Sequence, residues 1–96
     1  MRIKFLEQAK ADLAEHNDYY RKLGGVALAS KMMDRIKGPV LALKDNPAIA
    51  QSYELAPDMR RLVVARGAFL VFYRVDVDIE VLHILRAERI PLSDPE

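Results

Sequence analysis

Three runs rich in Val, Ile, Leu, Phe and Tyr, at 60–66, 68–75 and 78–86, constrain this chain more than any other feature. Arg66-Gly67 and Asp76-Val77 separate them and are compatible with tight turns, so the segment reads as a three-stranded antiparallel meander. Asp76-Val77 is the poorer turn, because the favoured two-residue form requires positive φ where the β-branched Val would be strained. With two-residue loops pairing Ala65 with Ala68 and Val75 with Asp78, side-chain alternation fixes both faces of the meander. One face collects Leu62, Val64, Phe69, Val71, Leu82 and Ile84, with Arg60, Tyr73 and Glu80 in a row at one end. The other collects Val63, Leu70, Phe72, Ile79, Val81 and Leu85, with Arg61, Arg74 and His83 among them.

Helical spacing dominates the first half. Residues 2–6 alternate polar with apolar side chains and predict a short first strand. Over 7–23, Ala9, Leu13, His16 and Tyr20 recur at helical intervals, and Gly24-Gly25 supplies a stop. Val26, Ala29, Met33, Ile36, Val40 and Leu43 continue a second stripe, so the two segments predict a helical hairpin. Gly38-Pro39 interrupts that stripe, where a proline costs about 3 kcal/mol in a helix interior, and a kink or break is expected. Asn46-Pro47 ends the helical region, and the stretch to Met59 has no clear period and reads as a long loop.

The predicted fold is therefore α+β: a small antiparallel sheet, made of the N-terminal strand plus the C-terminal meander, packed against an α-helical hairpin. Two helices of this length cover one face of such a sheet. The second apolar face is left for a partner, or for the long loop, the tail or a second copy of the chain.

Composition narrows the function classes. A length of 96 residues suits a single domain, and 51% hydrophobic with 30% charged residues suits a soluble globule. A formal charge of +1 argues against polyanion binding by bulk electrostatics, so direct nucleic-acid binding is not expected. The absence of cysteine rules out disulfides and thiolate metal sites, and the two histidines are far apart in sequence; neither a metal nor a cofactor is implied. No apolar run approaches a bilayer span and the N-terminus lacks a signal-peptide pattern, so no membrane role is expected and the predicted location is cytoplasmic. Residues 91–96, Pro-Leu-Ser-Asp-Pro-Glu, read as a flexible tail.

The order of elements, with Arg60-Arg61-Leu62-Val63-Val64, then Phe69-Leu70-Val71-Phe72-Tyr73-Arg74-Val75, then Val81-Leu82-His83-Ile84-Leu85-Arg86-Ala87-Glu88-Arg89, resembles the RelE/ParE toxin superfamily of type II toxin–antitoxin systems over nearly the whole chain. Ala9-Lys10-Ala11-Asp12-Leu13 and the Asn46-Pro47 stop are similar to early signatures of the same family. The resemblance implies one of two chemistries. RelE-like members cut messenger RNA on the ribosome without a metal, using basic and aromatic side chains on the open sheet face and near the C-terminus. ParE-like members are associated with inhibition of DNA gyrase. Aligned on Tyr73, the nuclease branch's basic positions fall at Arg61, Val63 and Leu70, of which only Arg61 is basic, and the tail lacks that branch's tyrosine. Such a nuclease needs several cations around the phosphate on which charge develops.

The resemblance therefore leans to the ParE branch, whose end is similar to Ile84-Leu85-Arg86-Ala87-Glu88-Arg89-Ile90-Pro91, although Leu70 stands where many relatives of both branches have Arg. It implies a toxin that inhibits gyrase by binding, without being an enzyme, and that a cognate ParD-like antitoxin neutralises. The antitoxin would lie on Val63, Leu70, Phe72, Val81 and Leu85, while Arg61, Arg86 and Arg89 are the target-facing candidates. Under the nuclease alternative Arg61, His83, Arg86 and Arg89 would do the chemistry. A third reading is a non-toxic family member that still binds antitoxin. A homodimer or a toxin–antitoxin hetero-oligomer is the expected assembly.

Each singled-out residue also has a plainer reading. Arginines at strand ends are more often solvated charges or guards against edge pairing than a shared site. His83 reads more readily as a hydrogen-bonded structural histidine than as an acid or base. His16 reads as a partly exposed packing residue. Tyr73 with Arg60 and Glu80 reads as a cross-strand trio that satisfies its own polar atoms, and Tyr19 and Tyr20 as core and rim. Met32 and Met33 read as helix packing, adaptable if a partner helix docks there.

Overall fold

The computed structural model describes residues 2–53 and 56–87, with side chains outside 51–57. Strand β1 (Ile3–Phe5) leads into a helical run, α1 (Glu7–Leu41), which ends in a 3-10 turn at Ala42–Lys44. Strands β2 (Gln51–Tyr53), β3 (Ala56–Val64), β4 (Phe69–Val75) and β5 (Ile79–Arg86) follow. A straight helix of 35 residues would be about 52 Å long, yet the longest dimension of the molecule is 37 Å. The run folds back at Gly25, whose φ of 87° and ψ of −177° are non-helical. Such a φ suits a residue with no Cβ. Its two arms, 7–24 and 26–41, form the expected hairpin.

The sheet has five strands in the order β1-β5-β4-β3-β2. It is mixed rather than antiparallel, because β1 runs parallel to β5 with Ile3 opposite Ile79 and Phe5 opposite Val81. The α+β class stands, with this correction. Also unlike the expectation, β2 and the start of β3 occupy much of the stretch read as a loop between Asn46 and Met59. Helical φ and ψ persist through Pro39, so the helix does not break there. Two features of the sequence account for this. The residue before the proline is Gly38, which has no Cβ to crowd the ring, and the helix ends two residues later, so the lost bond falls within its last turn.

The first meander turn keeps the expected register, but the strands end at Val64 and Phe69 and a 3-10 turn at Ala65–Gly67, with Ala65 at a φ of 55°, replaces the expected two-residue loop pairing Ala65 with Ala68. Ala68 N–H donates to the Ala65 carbonyl (3.2 Å), Val64 stands opposite Phe69, and Arg66 and Gly67 both take positive φ, 57° and 90°. The second turn differs. Val75 pairs with Ile79 instead of Asp78, giving a loop of Asp76, Val77 and Asp78 closed by Asp76 N–H donating to the Asp78 carbonyl (2.9 Å). The longer loop spares Val77 a positive φ: among the described non-glycine residues only Ala65 and Arg66 have one. The extra residue shifts the start of β5 by one position and turns Ile79 and Val81 towards the helices and Glu80 away from them. A bulge at Leu82 then restores the phase, since Tyr73 faces Val81 while Phe72 faces His83.

The core lies between the helical region and this covered face. Ile36, Val40 and Leu43 pack with Phe69, Val71, Tyr73, Ile79, Val81 and Ile84, all essentially inaccessible to solvent. Burying side chains of this size stabilises the fold by roughly 1.5–3 kcal/mol each before the entropy of ordering is deducted. Met32 joins the core and Met33 packs at its margin.

Candidate functional site

The face turned away from the helices is the candidate site, and the strand register sets out its side chains in rows. Arg61, Phe72 and His83 form one row across β3, β4 and β5, and Val63, Leu70 and Leu85 form the next. Val63 is 55% exposed and Leu85 37%, Leu70 is half-buried, and Phe72 is buried at 9%. Arg74 and Glu80 continue the same face and pair at 2.5 Å, where the hydrogen bond that Arg74 Nε donates to Glu80 and the carboxylate's charge hold the guanidinium above its ordinary pKa. The surface is thus an apolar strip with Arg61 and His83 in the middle row and an ion pair beyond. It is suited to receiving an amphipathic segment.

Val81 does not belong to this surface. Expected beside Leu70 and Phe72, it is fully buried against the helices, because the three-residue turn reversed the phase of β5 up to the bulge. Ile79 moves with it, and Leu82, expected among the helix-facing residues, sits half-buried at the bulge.

The described basic candidates, Arg61 and Arg86, do not converge. Arg61 is exposed on the open face. Arg86 stands opposite Phe69 on the covered face, 8% exposed, with its guanidinium 4.0 Å from the centroid of the Tyr19 ring. A cation over an aromatic face at this distance is attractive, so Arg86 ties the end of β5 to α1. Arg89 and the tail at 91–96 lie outside the described residues. Of the three described residues named for a nuclease, Arg61 and His83 share a face, on either side of Phe72, and Arg86 does not.

His83 has a half-exposed side chain, and its Nδ1 lies 3.9 Å from Asp12 Oδ2. Asp12 is the polar residue that sequence reasoning passed over. It is 6% exposed, receives Gln8 Nε2 on Oδ1 (2.9 Å) and accepts the Ile84 N–H on Oδ2 (2.9 Å). His16, expected to be partly exposed, is 2% exposed; its Nε2 donates to the Ile84 carbonyl (2.6 Å) and its ring lies 4.9 Å from Phe69. One signal was available: polar residues one turn apart on an otherwise apolar helix stripe need buried partners.

The trio of Tyr73, Arg60 and Glu80 does not form, since Glu80 faces the other way. Tyr73 donates its hydroxyl to the Pro47 carbonyl (2.8 Å) and Arg60 Nη1 donates to the Ala50 carbonyl (2.6 Å), so together they fasten the segment before β2 to the core. Burial pushes the Tyr73 phenol above its ordinary pKa, against the lowering influence of a backbone hydrogen bond and of Arg60. Tyr19 and Tyr20 meet edge to face at 5.0 Å, the first more exposed than the second. Among the described residues no three His, Asp or Glu side chains gather in a way that would hold a metal ion, and no helix is long and apolar enough to cross a membrane.

Comparison with known proteins follows the same direction as the fold. The family model for the ParE toxin of the parDE type II toxin–antitoxin system matches residues 3–91. Among solved structures, one described as the chromosomal ParDE TA system from P. aeruginosa is 30% identical, with a TM-score of 0.79 over 90% of this chain and 95% of that one. No curated protein matches the sequence.

Proposed function

Because this chain belongs to the ParE toxin family of type II toxin–antitoxin systems, we propose that it inhibits DNA gyrase by binding and that a cognate antitoxin neutralises it by covering the open sheet face. The family match carries the gyrase reading. The antitoxin reading rests on the exposed apolar strip of Val63, Leu70 and Leu85 beside Phe72, a surface that folding leaves in contact with water. An antitoxin segment with apolar side chains on one side would bury this strip, and an acidic group on it would meet Arg61 or protonated His83.

Placing Arg86 on the covered face weighs against the nuclease alternative, because cations divided between two sides of a sheet cannot surround one phosphate. Expression of the chain without an antitoxin tests the proposal, followed by supercoiling and ribosomal message-cleavage assays on the purified protein. Growth arrest with lost supercoiling and intact message is expected. Cleaved message would establish the nuclease instead, and normal growth with unimpaired supercoiling would mark a non-toxic family member. The antitoxin surface is read separately: Val63→Lys and Leu85→Lys should each weaken antitoxin binding by at least about tenfold, and unchanged affinity in both would remove the open face from consideration.

A further inference from the structure

Strand β5 outruns its parallel neighbour. The last link to the β1 side is Leu6 N–H donating to the Val81 carbonyl (3.0 Å), after which β5 continues to Arg86 with no described strand on that side. A bare edge of this kind offers its N–H and C=O groups to any extended chain, and Leu82-His83-Ile84-Leu85-Arg86 is apolar and strand-forming. Here α1 closes the edge. Both outward backbone groups of Ile84 are taken by side chains one helical turn apart, the N–H by Asp12 Oδ2 at 2.9 Å and the C=O by His16 Nε2 at 2.6 Å. Residues four apart on a helix lie on one side about 5–6 Å from each other, which suits the two outward groups of a single strand residue. A carbonyl only accepts, so the His16 proton resides on Nε2. Gln8 fixes the second oxygen of Asp12, and Phe69 packs beside the His16 ring.

We propose that Asp12 and His16 act as a surrogate strand, closing the edge of β5 to antiparallel pairing with the same segment of a second copy of this chain. The two side chains supply one acceptor and one donor at the positions a pairing strand would use, and they are buried where such a strand would run. An isologous contact is the natural consequence of exposing this edge, since one segment can pair with its own copy about a two-fold axis. The inference concerns folding and self-association and does not depend on the gyrase reading.

The test compares the full chain with the Asp12→Ala/His16→Ala double variant, using sedimentation velocity over a range of concentrations and amide hydrogen exchange at Ile84. The expected result is concentration-dependent association beyond that of the parent and, at concentrations too low for association, Ile84 exchange at least about tenfold faster. A folded double variant with the parent's sedimentation and unchanged Ile84 exchange would overturn the proposal. If the double variant does not fold, His16→Ala and His16→Gln make the same comparison, because the glutamine Nε2 retains a donor. Association in the first and not in the second supports the surrogate strand, and identical behaviour of the two overturns it.

Discussion

The two faces of the central sheet are alike in composition and opposite in circumstance. On the covered face Phe69, Val71, Val81 and Ile84 have no exposure, while on the open face Val63 and Leu85 are 55% and 37% exposed. Apolar residues on the first face have already given their burial energy to folding. Val63 and Leu85 on the second can still give it to a partner. The difference arises because the hairpin bent at Gly25 covers one side of the sheet, while no other described element packs over Val63 and Leu85.

The sharpest way to break this comparison is to place a carboxylate on each face in turn. Val81→Asp buries an unpaired charge among Ile36, Tyr73 and their neighbours, a loss of about 3–5 kcal/mol and a large fraction of the roughly 5–15 kcal/mol that holds a domain together. Val63→Asp places the same group in water and should change stability by no more than about 0.5 kcal/mol. Urea denaturation of the two variants checks this. Equal destabilisation would mean that both faces are core, and the open face would lose its claim as a docking surface.

A smaller effect concerns the fastening of the segment before β2. Tyr73→Phe removes the hydroxyl that donates to the Pro47 carbonyl and should cost about 1 kcal/mol. The same residue gives a pH signature. Its folded pKa lies above the ordinary value of 10.0 because burial disfavours the phenolate. The associated stability is complete below that value and is lost as pH rises through and beyond it. Denaturation midpoints measured upwards from neutral pH should therefore fall in the alkaline range, and Tyr73→Phe should flatten the fall. An identical alkaline decline in the variant would assign it to other groups.

The same contrast between faces explains what the sequence could and could not reveal. The hairpin was legible because Gly24-Gly25 divides two apolar stripes, and the place of the first meander turn because Gly67 tolerates left-handed backbone, although the positive φ at Ala65 was not. Side-chain alternation placed Val63, Leu70, Phe72 and Leu85 correctly. It failed at Ile79 and Val81, where one extra turn residue reverses inside and outside, and neither a three-residue loop nor the compensating bulge has a distinctive signature in Asp76-Val77-Asp78 or Leu82. The role of Asp12 was hidden for another reason: its partner is a backbone amide 72 residues away, and a backbone amide has no letter in the sequence. Arg86 misled in the opposite direction. A basic residue near a strand end reads as a surface charge, whereas here it is drawn under Tyr19.

The smallest predicted effect lies at the β1 end of the sheet and sharpens the contrast between its anchored and surrogate edges. Asp78 accepts the Arg2 backbone N–H on Oδ1 (3.0 Å) and pairs with Lys4 through Oδ2 (3.2 Å), and these contacts hold its carboxyl below the ordinary value of 3.8. A depressed carboxylate pKa gives stability that is present above the unfolded value and lost as pH falls through the folded one. Lys4 is exposed and Asp78 half-buried at the sheet end, so salt screens the pair and the effect is local. Acidification below about pH 4 should therefore loosen β1, seen as faster exchange of the Ile79 amide, which donates to the Arg2 carbonyl. Asp78→Asn should bring the faster Ile79 exchange to neutral pH while leaving Ile84 as it was. If both amides respond together, β1 and the helix-closed part of β5 open as one unit, and the division of this edge into two independently held segments is wrong.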